Sequence, residues 1–179
     1  DHLAISPDKL EFMKGSKSML SITSDGDINM TGKIILTEST GANVAIGTGN
    51  SIAGDDNIAI GVQAGNDLGS VAIKNVLIGN YAGDKISSGD WNVMIGYYAG
   101  ANPDAGAPTT TGSKNVCIGY ETGGTGAFTV DDTVMIGREV GKIATNPAGL
   151  VAIGGKAAFS ITTGDGNTAV GYEALYNNA

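Results

Sequence analysis

Cysteine, histidine and basic side chains are scarce in this chain of 179 residues. There is one cysteine, Cys117, so no intrachain disulfide can form. The one histidine is His2, near the first residue. Lysine and arginine total 10 against 18 aspartates and glutamates, a net charge of −8. No basic stripe exists to neutralise phosphates, so nucleic acid is not an expected partner. No run approaches the ~20 apolar residues of a membrane span, and no secretory signal peptide is visible. Aromatic residues make up only 6% of the chain, so a core must be built from small and medium side chains. An acidic surface rich in hydroxyl groups and glycine suits a solvated extracellular body. The chain starts at Asp1 and stops within a repeat at Ala179, so a piece of a longer protein is expected.

What the chain has instead is glycine, 29 of them, and a recurring pentad. It reads Asn43-Val44-Ala45-Ile46-Gly47 and returns as Asn57-Ile58-Ala59-Ile60-Gly61 and Asn75-Val76-Leu77-Ile78-Gly79. Further copies start at Asn92, Asn115, Thr133, Leu150 and Asn167. From glycine to glycine the steps are 14, 18, 17, 23, 18, 17 and 17 residues. A fixed strand with a variable connector predicts a stacked solenoid. Residues 1–40 lack the repeat; short alternating apolar runs there predict several strands with tight turns. The expected organisation is an N-terminal β-strand segment, 1–40, and a repeat array, 41–179. The fold class is all-β, an elongated trimeric β-solenoid or β-roll preceded by short N-terminal strands. Each pentad glycine is read as a sharp corner. A small residue three positions later points inside, followed by a shorter second strand and an exposed connector.

Alternation along the strand sets Val44 and Ile46 on one face and Ala45 on the other. Down the array the middle position reads Ala45, Ala59, Leu77, Met94, Cys117, Met135, Ala152 and Ala169, never polar. A strand apolar on both faces is buried on both, and a thin coil has one interior of its own. The second face therefore calls for an identical chain, most simply in a homotrimer about a long axis. On this reading the eight middle side chains form the core that a sister subunit covers. Cys117 fills such a position as a small apolar group rather than a nucleophile.

With these residues in hand, the array resembles the repeats of virion fibre proteins, above all bacteriophage tail fibres. Residues 163–176 are typical of their shafts, and residues 25–34 resemble the strand-and-turn unit that precedes such arrays. The resemblance covers residues 25–179. It implies a structural and adhesive segment of the virion that mediates or supports binding to a host-cell glycan or protein receptor. It implies no cofactor, no catalysis and no membrane insertion. In that family a chaperone domain often follows and is cleaved off; here it would lie beyond Ala179. The pentad is also similar to the head repeats of YadA-type trimeric autotransporter adhesins. This chain departs from them by using Asn where they favour Ser, and by irregular connectors near 101–114 and 122–132. Remote alternatives are a polysaccharide-degrading tailspike and a hexapeptide-repeat acyltransferase. The latter relies on a catalytic histidine, and His2 lies outside the array.

For recognition, Trp91 precedes a strand at a position filled elsewhere by Lys114 and Gly166. Trp91 with Tyr97 and Tyr98 is the candidate glycan contact. The connector 101–113, the longest interruption, adds Asn102, Asp104, Thr109 and Thr110 as candidate receptor contacts, because loops on rigid scaffolds carry recognition. The tyrosines after the corner glycines read either as a packing ladder or as a sugar-stacking surface. The pairs Asp55-Asp56 and Asp131-Asp132 read as turn aspartates, with Ca²⁺ ligation as the alternative. No metal site and no catalytic residue are assigned.

Overall fold

The computed structural model describes residues 2–6, 9–14, 17–23, 28–30, 43–101, 111–123, 129, 131–144, 148–161 and 164–178. It is all-β, with no helix among the described residues. The chain divides into two units, Asp1–Thr37 and Glu38–Ala179.

The first unit is an antiparallel meander of β1 (His2–Ser6), β2 (Lys9–Lys14), β3 (Lys17–Thr23) and β4 (Ile28–Met30). Its register sets Leu3 opposite Phe12, Leu10 opposite Ile22, and Leu20 opposite Met30. The ladder slips between Phe12 and Met13.

The second unit is the solenoid. Each pentad supplies one strand: β5 (Val44–Ile46), β6 (Ile58–Ile60), β7 (Val76–Ile78), β8 (Val93–Ile95), β9 (Val116–Ile118), β10 (Val134–Ile136) and β11 (Val151–Ile153). After the short β12 (Ser160–Ile161) comes the last copy, β13 (Thr168–Val170), and then β14 (Asn177–Asn178). The eight repeat strands form one parallel sheet in sequence order. Every pairing is in the same register, so Met94 stands beside Cys117 although their connector is the longest. Likewise Cys117 stands beside Met135. The strands on either side of both irregular connectors therefore keep the common register.

Glycine ends each strand for two reasons, seen at Gly119. Its φ is +137°, a region closed to most L side chains. A Cβ there would also lie 2.0 Å from the carbonyl oxygen of Gly137 on the next coil. Beyond the corner the expected second strand is replaced by a tight turn. Its second residue is left-handed in each coil, as in Tyr98 (φ +53°) and Glu121 (φ +50°). Coil-to-coil hydrogen bonds continue through the turn, such as Glu121 N donating to Tyr97 O at 2.9 Å. Among the described residues, strand pairing on that side consists of the Ile52–Leu68 bridge and the β12–β14 pair.

Two of the inward rows that fill the coil come from the pentad and its corner. One is the middle pentad residue: Ala59, Leu77, Met94, Cys117, Met135, Ala152 and Ala169 are at most 2% exposed. The other is the small residue after the corner: Ala64, Ala82, Ala99, Thr122, Val140 and Ala157 are fully buried. Nine residues after the middle position the chain is buried again, at Leu68 after Ala59, Ile86 after Leu77, Ala144 after Met135 and Ile161 after Ala152. Side chains of different size together fill the narrow interior.

The expectation that a sister subunit covers the middle side chains is therefore corrected. Seven of them are enclosed by the protomer's own coil; Ala45, on the first strand of the array, is exposed. Both faces of the strand are apolar, and the left-handed turn after the glycine folds the chain over the middle residue.

The first pentad residue points inward as well and builds a buried ladder. Asn75 N donates to Asn57 Oδ1 (2.9 Å), and Asn75 Nδ2 donates to the same oxygen (3.0 Å) and to Gly89 O (2.9 Å). Asn92 repeats this on Asn75, with Nδ2 also donating to Gly112 O. Asn115 N donates to Asn92 Oδ1, and Thr133 ends the series by donating through N and Oγ1 to Asn115 Oδ1. Every side-chain amide in this buried row is partnered, as buried polar groups must be.

Candidate functional site: the outer sheet face and its rims

With the middle residue turned inward, the residues flanking it point outward. The outer face of the repeat sheet is a double column of Val and Ile, one pair per coil, interrupted only by Thr168. Lateral neighbours half-bury the central members, while Ile46 (58%) and Val170 (66%) at the two ends stay open. In proteins generally, large contiguous apolar faces are a feature of interaction surfaces.

Two corners border this face. The leading rim, just before each strand, carries Asp56, Lys74, Trp91, Lys114 and Asp132, all with φ near +60°. The trailing rim, just after each corner glycine, carries Val62, Asn80, Tyr97, Tyr120 and Arg138. Left-handed backbone costs a non-glycine residue on the order of 1 kcal/mol. Stacked coils impose it at every level.

The candidate recognition residues are distributed over both rims. Trp91 is 55% exposed on the leading rim, with Lys74 Nζ 4.4 Å from its ring centroid. Tyr97 and Tyr98 lie at the other end of β8, so the strand separates them from Trp91. They join a tyrosine cluster across three coils. Tyr81 stacks on Tyr98 (4.6 Å, 7°), Tyr97 stacks on Tyr120 (5.5 Å, 12°), and Tyr97 meets Tyr98 edge-on. The packing ladder and the open aromatic surface coexist, since Tyr97 and Tyr120 remain exposed. Asn102, Asp104, Thr109 and Thr110 lie outside the described residues.

Electrostatics around the cluster is local. Asp84, nearly buried, accepts a hydrogen bond from Asn66 Nδ2 (3.2 Å); desolvation raises its pKa above the ordinary value. Burial also raises the Tyr98 phenol. Partial burial pushes the Glu121 carboxyl up, but hydrogen bonds from Lys142 and Tyr120 outweigh it and leave it lowered. Lys142 is correspondingly raised, first by its hydrogen bond to Glu121. Cys117, enclosed in the core, has its thiol pushed up to about 12 by desolvation, so it holds its proton and does not act as a nucleophile. Asp131 Oδ1 links coils, accepting from Ser113 N eighteen residues earlier (2.7 Å). Among the described residues no group of three or more His, Cys, Asp or Glu could hold a metal. No helix there is long and apolar enough to cross a membrane.

Sequence reasoning missed both the asparagine ladder and the rims. The identity of the first pentad residue signalled the ladder, because stacked Asn side chains bond one another. The rims were signalled by the two positions bracketing the pentad, which carry the charged and aromatic residues. Protein-family models, curated proteins and solved structures give no match to the chain.

Proposed function

We propose that this chain is a structural and adhesive segment of a viral tail fibre, homotrimeric, which mediates or supports attachment to a host-cell receptor. The observation that carries this reading is the Val and Ile column on the outer sheet face. Burying a half-exposed Val or Ile is worth roughly 1 kcal/mol, half the value of full burial. Summed over the face of each protomer, this exceeds the lower end of the 4–15 kcal/mol that association costs. Three such faces meeting at an axis would leave the aromatic and charged rims at the seams and the connectors facing outward. Weak contacts repeated threefold become firm attachment through multivalency.

Light scattering tests the assembly: three times the 17.9 kDa chain mass is expected, and a stable folded monomer overturns it. Host-cell binding by Trp91→Ala and by a chain lacking residues 102–110 tests the adhesive part. Unchanged binding in both would make this segment shaft alone. A second reading, the head of a bacterial trimeric adhesin, is favoured by one observation: the roll keeps its register across both irregular connectors. A C-terminal membrane anchor in the full-length protein would select it over the fibre.

A further inference from the structure

We infer that the protomers pack in register around the threefold axis, the trailing rim of each outer face meeting the leading rim of the next at the same coil level. This rests on the trimeric reading above. In a cyclic assembly the outer strands run head to tail around the axis. The end of one protomer's strand then lies beside the start of its neighbour's, and closure of the ring permits no axial offset. Under that rule three consecutive levels of the rims are complementary, whereas the two levels before them set Asp56 against Val62 and Lys74 against Asn80. Trp91 meets Tyr97, an aromatic pair; Lys114 meets Tyr120, a cation over a ring; Asp132 meets Arg138, an ion pair. A slip of one coil would set Lys114 against Arg138, two like charges, and would lose the ion pair. Arg138 is free enough to serve, with 54% of its side chain exposed while it also contacts Glu139 of its own chain.

The test is disulfide capture in the full chain. Within one protomer, residues 132 and 138 lie beyond opposite ends of the extended stretch 133–137, which spans roughly 13 Å, far beyond disulfide reach. A bond between them is therefore intermolecular, and Cys117 is fully enclosed and takes no part. Asp132→Cys combined with Arg138→Cys should, on mild oxidation, shift the band on a non-reducing denaturing gel from one to three chain masses. Each single variant should stay at one. Trp91→Cys with Tyr97→Cys, one coil earlier in the described ladder than Lys114, is a second pair read the same way if the first does not fold. Lys114→Cys with Arg138→Cys, one coil apart, should not cross-link; capture as complete as at equal level overturns the register. A threefold mass in light scattering without capture of either equal-level pair overturns the rim pairing and leaves the trimer standing. A monomeric wild-type chain overturns both. Bands stopping at two chain masses overturn the threefold ring.

Discussion

Asn75→Ala removes one rung from the middle of the buried ladder, and the cost follows from the bonds on either side. The lost amide accepts from Asn92 N (2.9 Å) and Asn92 Nδ2 (3.0 Å) and donates to Gly89 O (2.9 Å). Asn57 Oδ1 keeps its bond from the backbone of residue 75. The variant therefore leaves three buried polar groups without partners: a backbone amide, a side-chain N–H and a carbonyl. Each unpaired buried group costs about 1–3 kcal/mol, so the expected loss is roughly 3–6 kcal/mol after partial relaxation. Asn43, at the part-buried start of the ladder, serves as the comparison and should lose less on the same substitution. Denaturant unfolding measures both, and hydrogen exchange at the Asn92 amide should speed up in Asn75→Ala. A loss below about 1 kcal/mol, or an unchanged Asn92 exchange rate, would refute the view that the ladder holds successive coils together.

Three further outcomes are expected. Gly119→Ala should cost about 3 kcal/mol or more in thermal unfolding, since it combines a φ of +137° with a backbone clash, whereas Gly166→Ala (φ +70°, nothing within 4 Å) should cost about 1 kcal/mol; equal losses would contradict the corner argument. Asp84 has a folded pKa raised above the ordinary 3.8, so its contribution to stability is fullest below that pH and falls as pH rises through the folded value. Asp84→Asn should therefore melt higher than wild type at pH 7 and converge with it in acid; a gap independent of pH would count against this. Ile118→Glu places a charge on the outer face and should drive a trimer toward monomers in sedimentation with the β-sheet circular dichroism retained, and an undiminished trimer would exclude that face as the interface.

The repeat strands and corner glycines were legible because alternation and glycine recurrence are local signals. The inward small residue was legible for the same reason, with Ala82 and Ala99 where spacing put them. Which strand face turns inward was not legible, because Leu77 and its neighbours Val76 and Ile78 are all apolar. The choice is made by backbone sign at residues such as Tyr81 and Tyr98, and side-chain identity does not announce a positive φ there. A subtler clue was present: the middle position varies from Ala to Met, while its flanks stay β-branched. Trp91 and Tyr97 looked adjacent in sequence, yet an extended strand carries neighbours in number far apart in space.

Because each coil bonds only to the coils beside it, the array resists force in a particular way. Tension applied between its first and last strands loads the inter-coil hydrogen bonds one after another and along their own direction. Extension should therefore proceed by peeling single windings from an end, each releasing a short length of chain at modest force. Such a filament yields gradually under a tug and can rewind when the load is removed.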